Sequence, residues 1–314
     1  MSEVPVVSIA IRAYRRAWLG GAIASVLGQT WRDLELVIYD DAGDLEDIAA
    51  SFHDDRLRYV RAEEKTGTSG RFAAAVALCR GRYIGVLDDD DRYEPELVER
   101  LVSVLETNAR AGAAVCRAVR DVEGVRTVEP APGPPGRQTD LARKILIERW
   151  VVVPSMMLLR RAALDAAEAL QPMPDGVAPD VFVNIRLALT GWDHVLIDDV
   201  LTVRGWHDEQ LSRASSYHDT AVATFERLRI ADPVLDRLRR MELARLLIVR
   251  ASQYLLSNRR AEALADLRAA RETDPAVKWF ARRLLVLAAR MPVLGVMAAR
   301  AGREVRRRVR SVVS

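Results

Sequence analysis

The sequence predicts an α/β protein with a mostly parallel sheet, helices on both of its faces, and an all-helical C-terminal extension. Within residues 6–108, short continuous apolar runs alternate with segments of helical spacing. Continuous apolar runs are typical of strands buried on both faces, and strand–helix alternation is typical of parallel sheets. From about residue 217 onward the apolar residues show helical spacing only.

The strands and helices of the first part can be placed from these patterns. We expect strands at 6–11, 34–39, 57–60 and 83–87, and helices at 18–27, 45–52, 70–78 and 95–108. Pro95 suits the first turn of its helix, where a missing N–H costs nothing.

The middle of the chain is less regular. We expect a hairpin of 113–120 and 125–129, helices at 140–147, 161–170 and 181–189, strands at 155–159 and 194–197, and an extended segment at 201–206. Further on, 241–256 and 261–271 form an apolar helical pair. We therefore expect two domains, 1–215 and 216–314.

Composition narrows the class of protein. The 314 residues are 50% hydrophobic and 29% charged, with a net charge of +3, which is ordinary for a globular protein. Cys79 and Cys116 lack C-x-x-C spacing, so neither a disulfide framework nor a structural zinc site is expected. Because the chain also shows no signal peptide and no long uncharged apolar run, we expect a cytoplasmic location.

Carboxylates follow two of the predicted strands. Asp40 and Asp41 end the strand at 34–39, and four aspartates, Asp88 to Asp91, end the strand at 83–87. The carboxyl ends of parallel strands meet at one edge of a sheet, where ligands bind. Strand alternation should point Asp88 and Asp90 the same way and turn Asp89 and Asp91 elsewhere. Such oxygen ligands suit Mg²⁺ or Mn²⁺, whereas the competing interpretation is a solvated acidic loop that caps a helix.

Several stretches, taken in order, resemble a known family. Residues 35–41 (ELVIYDD) are similar to its E-I-I-V-V-D-D strand, and 81–91 (GRYIGVLDDDD) to its G-x-Y-I-A-F-L-D-x-D-D strand. Weaker matches lie at 7–16, 24–30, 55–59, 155–161, 180–191 and 204–212. On these residues, positions 1–215 resemble the family 2 glycosyltransferases. The resemblance implies a GT-A fold, which is Rossmann-like, and an inverting reaction.

The resemblance also implies roles for individual residues. Asp180 would be the general base that takes the proton of the acceptor hydroxyl. Asp90 and His207 would hold a divalent metal. The nucleoside-diphosphate sugar would be bound by Ala13, Tyr14, Asp40, Asp41, Arg71, Asp88 and Asp89, with Tyr14 and either Asp40 or Asp41 at the base.

The chain departs from the family pattern at four positions. Arg12 replaces a proline after the first strand, and Pro179 replaces a glutamate before Asp180. Arg71 lies one place before the expected arginine, and Ala73 replaces an asparagine. These departures concern the donor site and the catalytic carboxylate.

The expected function is therefore that of an enzyme, a metal-assisted glycosyltransferase acting on a glycan, lipid-linked or small-molecule acceptor. A non-catalytic scaffold that keeps the sugar-nucleotide fold is the main alternative. A sugar-nucleotide nucleotidyltransferase is disfavoured, because those enzymes carry a G-x-G-T/S-R-L loop where this chain has residues 12–16 (RAYRR).

The C-terminus carries a separate signal. On a helix, Arg303, Arg307 and Arg310 would form a basic stripe roughly opposite a valine stripe at 305, 309 and 312. Two interpretations stay open: peripheral contact with the inner face of a membrane, or packing on the catalytic domain with the arginines in solvent. Nucleic-acid binding is not expected, because no binding motif accompanies the arginines.

Overall fold

The computed structural model describes residues 5–277 except 15, 42, 65–66, 149, 151, 170–172, 174–175 and 208–216, together with 283 and 285–286. The chain divides into two compact units, Met1–Ala214 and Ser215–Ser314.

The first unit contains a mixed sheet that has ten strands among the described residues. The strands are β1 (Val7–Ala13), β2 (Leu34–Asp40), β3 (Leu57–Arg61), β4 (Tyr83–Asp88), β5 (Arg92–Tyr93), β6 (Ala111–Val122), β7 (Val125–Val128), β8 (Gly136–Gln138), β9 (Met157–Arg160) and β10 (Asp193–Gly205). Their order is β3-β2-β1-β4-β9-β6-β10-β5, with β7 paired to β6 and β8 to β10. Strands β1 to β4 are mutually parallel, and β6 is parallel to β10.

Helices connect these strands. They are α1 (Arg16–Leu27), α2 (Glu46–Ala50), α3 (Gly67–Leu78), α4 (Leu97–Thr107), α5 (Leu141–Arg143), α6 (Arg161–Ala166) and α7 (Pro179–Leu189). Helix α5 continues into a π-helical turn at Lys144–Glu148, and a 3₁₀ turn at Pro154–Met156 precedes β9.

The predicted α/β architecture is confirmed, with differences in the middle of the chain. Strand β9 lies antiparallel between β4 and β6, so the sheet is mixed. The segments predicted separately at 194–197 and 201–206 form the single strand β10, whose pairing with β6 shifts register three times. Each shift is a bulge or irregularity of the kind that re-aims the side chains that follow it.

A polar cluster around buried Ser8 and Glu35 aligns the starts of the central strands. The Ser8 hydroxyl donates to Glu35 Oε1 at 2.6 Å and accepts the Gly81 N–H at 2.7 Å. Arg80 donates to Glu35 Oε2 through two nitrogens, at 2.7 and 2.9 Å. Burial opposes ionisation of Glu35, but the bonds from Arg80 and Ser8 outweigh it and lower its pKa. The cluster therefore ties β1, β2 and β4 together at their amino ends.

All regular secondary structure in the described part of the second unit is helical. It contains α8 (Tyr217–Arg227), α9 (Pro233–Leu256) and α10 (Arg260–Thr273). Asp232 caps α9 by accepting the N–H groups of Val234 and Leu235 at 2.8 and 2.9 Å. Asn258, with φ at 58°, turns the chain between α9 and α10.

The predicted helical pair is thus present as α9 and α10. Its small core is formed by Ala251, Leu255, Ala263 and Leu267. The arginine and valine stripes predicted at 303–312 lie outside the described residues. Among the described residues, every helix is too short or too polar to cross a membrane.

Candidate active site

The carboxyl ends of β1, β2 and β4 lie side by side. In the sheet register Ala13 pairs with Asp40, and Arg12 pairs with Asp88. Ala13 is fully buried, and its carbonyl oxygen accepts the N–H of Asp41 at 3.2 Å. The two acidic segments predicted from the sequence therefore meet at one edge of the sheet.

An acidic cluster, Asp88, Asp90 and Asp91, occupies this edge. One carboxylate oxygen from each lies within 4.8 Å of the others. Asp88 and Asp90 come together as predicted, although Asp90 lies beyond the strand, and the prediction that Asp91 points elsewhere is wrong. The strand ends at Asp88, and a tight turn closed by the Asp91 N–H on the Asp88 carbonyl, at 3.1 Å, brings Asp91 back. Asp89 leaves the cluster and accepts the Tyr14 N–H at 2.6 Å.

Asp91 is the buried member of the cluster. Its Oδ1 accepts the Gly205 N–H at 3.1 Å. Burial raises its pKa well above the ordinary range, and the charges of Asp88 and Asp90 raise it further. A side chain at position 205 would collide with the Asp90 carbonyl, so glycine is required where β10 passes the cluster.

Arg204 supplies positive charge near the cluster. It donates to Glu129 Oε2 at 2.8 Å. Burial disfavours its charged form, but the attraction of Asp91 and Glu129 outweighs burial and raises its pKa. Sequence reasoning missed Arg204 as a functional candidate, because its partners lie far away along the chain.

His207 joins the acidic cluster from the end of β10. Its Nε2 lies 2.9 Å from Asp90 Oδ2. The Trp18 ring stacks on the imidazole, with centroids 4.0 Å apart and planes at 16°. The stack comes from α1 and holds the imidazole against Asp90. No sequence pattern pointed to Trp18.

Arg71 contacts two other residues that were predicted to bind the donor, Asp41 and Tyr14. Its Nε donates to Asp41 Oδ2 at 3.1 Å, and its guanidinium lies over the Tyr14 ring, 4.7 Å from the centroid. The Tyr14 side chain is exposed. Tyr14, Arg71 and Asp41 therefore form an aromatic and charged platform at the end of β1.

Asp40 has a different environment from Asp41. It is fully buried, and its carboxylate accepts the N–H groups of Gly43 and Leu45 at 2.7 and 3.0 Å and the Tyr59 hydroxyl at 2.6 Å. These bonds shape the turn after β2. Of the two carboxylates predicted near the nucleoside base, Asp41 is the one that reaches the platform.

Asp180 lies in the first turn of α7, where Pro179 fills the position that tolerates proline. Burial raises the pKa of Asp180, while the N–H of Val181 and the charge of Arg12 partly oppose this effect. The charge of Asp88 raises it further. Asp180 therefore lies within electrostatic reach of both Arg12 and Asp88, as a shared site requires.

A buried hydrogen bond anchors α7, one turn beyond Asp180. Asn184 Oδ1 lies 2.7 Å from His194 Nε2 on β10, and both side chains are buried. The Trp150 ring meets the His194 ring edge-on at 5.6 Å. Burial lowers the pKa of His194 to about 3, so the imidazole is neutral at physiological pH. His194 therefore has a structural role.

The sequence profile described as Glycosyl transferase family 2 matches residues 8–167, just over half of the chain. The chain belongs to glycosyl transferase family 2. This match includes β1, β2, β4 and the acidic cluster, and it ends before Asp180 and His207. The placement of those two residues therefore rests on the structure.

Curated relatives of this family 2 chain are similar over shorter segments. Chondroitin synthase of Escherichia coli is 39% identical over 105 residues, which are 32% of this chain and 15% of that protein. The E. coli enzyme named UDP-Glc:alpha-D-GlcNAc-diphosphoundecaprenol beta-1,3-glucosyltransferase WfaP is 31% identical over 104 residues, 32% of this chain and 41% of that protein. The matches thus span less than half of either relative.

Solved structures confirm the GT-A fold of this family 2 chain. S. aureus TarS 1–349 in complex with UDP-GlcNAc has a TM-score of 0.70 at 15% identity, covering 96% of this chain and 91% of that one. Mannosyltransferase PcManGT of Pyrobaculum calidifontis, in complex with GDP-Man and Mn²⁺, has a TM-score of 0.56 at 18% identity, covering 96% and 87%. At these identities the likeness concerns the fold.

Replacing His194 with glutamine should flatten the pH dependence of stability. In the unfolded chain histidine titrates near 6.5, whereas folded His194 stays neutral down to about 3. The unfolded state therefore takes up a proton first, and stability falls as pH drops through this window. When the pH is lowered from 7.5 to 5, the free energy of unfolding measured with urea should fall by about 2 kcal/mol more for wild type than for His194→Gln.

His53, which is exposed, provides the matched control. His53→Gln should retain the pH dependence of the wild type. Parallel stability curves for wild type and His194→Gln would show that His194 is not a buried neutral group in the folded protein.

Proposed function

We propose that this chain transfers a sugar from a nucleoside-diphosphate sugar to an acceptor hydroxyl, with metal assistance and with inversion at the anomeric carbon. The observation that carries the proposal is the acidic cluster, with a second carboxylate, Asp180, near enough for the charge of Asp88 to act on it. The acidic cluster lies at the ends of the parallel strands, and Asp180 lies within electrostatic reach of it. Group transfer needs both: one site for the leaving diphosphate and one base for the acceptor.

The acidic cluster fits a divalent metal in its chemistry. It offers hard carboxylate oxygens, which Mg²⁺ and Mn²⁺ prefer, and His207 adds a nitrogen beside Asp90. We assign Asp90 as the main ligand, with Asp88, Asp91 and His207 around it. A bound Mg²⁺ or Mn²⁺ would neutralise charge on the leaving diphosphate. The mannosyltransferase neighbour was solved in complex with Mn²⁺ and GDP-Man, which supports this assignment.

The platform of Tyr14, Arg71 and Asp41 suits the nucleoside part of the donor. An exposed aromatic ring offers a face on which a base stacks, and Arg71 holds that ring in place. Asp41, bound to Arg71, is an acceptor for the base or ribose. The neighbouring structures hold UDP-GlcNAc and GDP-Man, which supports a nucleoside-diphosphate sugar as the donor class.

Asp180 is the proposed general base. The acceptor oxygen attacks the anomeric carbon, the bond from that carbon to the diphosphate oxygen breaks, and the hydroxyl proton passes to Asp180. One direct displacement inverts the centre, because nucleophile and leaving group lie on opposite faces of the sugar. The α7 amino end and the positive charge of Arg12 favour the ionised carboxylate that this step needs.

For the acceptor we propose a glycan, lipid-linked or small-molecule hydroxyl. The name of the WfaP relative includes a diphosphoundecaprenol-linked sugar, so lipid-linked saccharides are the acceptors to assay first. The arginine-rich segment at 300–310 supports a cytoplasmic protein in peripheral contact with the inner face of a membrane.

Nucleotide binding should depend on both the metal and Asp90. We expect one of UDP, GDP and dTDP to bind wild type with micromolar affinity in the presence of Mn²⁺, because a metal held by the cluster would offset the negative charge of the diphosphate. Asp90→Ala should weaken this binding by at least about tenfold, or 1.4 kcal/mol, in calorimetric titrations. Asp199→Ala, which removes a partly exposed carboxylate that is paired with Arg100 and is not a member of the cluster, is the control. If wild type binds no nucleotide under any condition, the scaffold alternative replaces the enzyme.

Ionisation of Asp180 should determine how activity falls at low pH. Because the ionised form accepts the proton, kcat/KM should fall as pH drops through the pKa of Asp180. Burial raises that pKa, so the fall should begin above the ordinary aspartate value of about 3.9. Asp180→Asn should lower kcat by about 10²- to 10⁴-fold. Nucleotide affinity should stay unchanged, and full activity of Asp180→Asn would exclude Asp180 as the base.

A further inference from the structure

Arg12 is the feature of this site that the family resemblance does not explain. The family pattern has proline at this position, which offers no charge. Here the guanidinium forms an ion pair with Asp88, in the acidic cluster itself. The Arg12 side chain is 10% exposed, whereas that of Asp88 is 33% exposed. The arginine is thus largely buried beside the cluster, whereas Asp88 remains partly accessible to solvent.

The surroundings of Arg12 hold its charge in place. The guanidinium carbon lies 5.6 Å from the centroid of the fully buried Phe72 ring, a cation–π contact. Arg12 is anchored by β1, whose register sets it directly beside Asp88. Its charge also acts on Asp180. The guanidinium therefore contacts the proposed metal ligand Asp88 and lies within electrostatic reach of the proposed base Asp180.

Arg204, the other arginine near the cluster, has a different arrangement. Its guanidinium is engaged by Glu129, at 2.8 Å, and it reaches Asp91 and Asp88 only through space. Arg12 instead contacts a cluster carboxylate directly. Asp88 is therefore a weaker ligand for a metal ion than the same carboxylate would be without the guanidinium beside it, because the two cations repel each other.

We propose that Arg12 is a resident counter-charge that competes with the divalent metal for Asp88. Without nucleotide, the guanidinium neutralises Asp88 and weakens binding of the bare metal. The negative diphosphate of the donor then adds ligands and charge that favour the metal. Arg12 thereby makes metal binding more dependent on the donor than the acidic cluster alone would. The inference rests on the proposed metal-assisted function and names a residue that regulates the same site.

The test is a titration of the full chain with Mn²⁺ alone. Binding is measured as the loss of the EPR signal of the free ion. Arg12→Gln removes the charge and keeps a polar side chain of moderate size. The variant should bind Mn²⁺ about tenfold more tightly than wild type, because the positive charge that repels the metal ion and pairs with Asp88 is gone. Arg12→Lys keeps a cation and should restore affinity toward the wild-type value.

Arg100→Gln is the matched control, because it removes an equal charge from an exposed ion pair with Asp199. It should leave Mn²⁺ affinity unchanged. A merely structural defect of Arg12→Gln would weaken Mn²⁺ binding, which is the opposite of the expected sign. Affinity equal to or weaker than wild type would therefore overturn the role of Arg12. Absence of Mn²⁺ binding in every variant, with or without nucleotide, would overturn the metal-assisted function as well.

Discussion

The repulsion among carboxylates at the end of β4 is the constraint on which the rest of the site depends. Asp88, Asp90 and Asp91 bring ligand oxygens within 4.8 Å of one another. Like charges at such distances disfavour joint ionisation unless cations or hydrogen-bond donors offset them. Each member has such a partner: Arg12 for Asp88, His207 for Asp90, and the Gly205 N–H for Asp91. The elements around the cluster are arranged to supply these partners.

The fold provides that arrangement through three long-range constraints. The polar cluster of buried Ser8 and Glu35 with Arg80 fixes the amino ends of the central strands, so that their carboxyl ends meet at one edge. Strand β10 passes the acidic cluster at Gly205 and delivers His207. Helix α7, held by Asn184 against His194, then presents Asp180 to the same region. The site thus depends on segments that are far apart in sequence.

The sequence was sufficient to predict much of the first unit, because its strands are continuous apolar runs and its helices have regular spacing. The strands and helices in the middle of the chain were harder to predict. The antiparallel insertion of β9 depends on partners in β4 and β6, which local patterns do not encode. Asp91 was misplaced because alternation holds only while the strand continues, and the strand ends at Asp88. Arg204 and Trp18 act through contacts that only the folded chain reveals.

The central claim, that the acidic cluster binds the metal of a donor diphosphate, is tested most directly by anomalous diffraction. Crystals would be grown with Mn²⁺ and the nucleoside diphosphate that binds best, and data collected at the manganese edge. We expect an anomalous peak among the carboxylates of Asp88, Asp90 and Asp91, with the diphosphate beside it. A nucleotide bound elsewhere, or bound at this edge with no peak at the cluster, would contradict the claim.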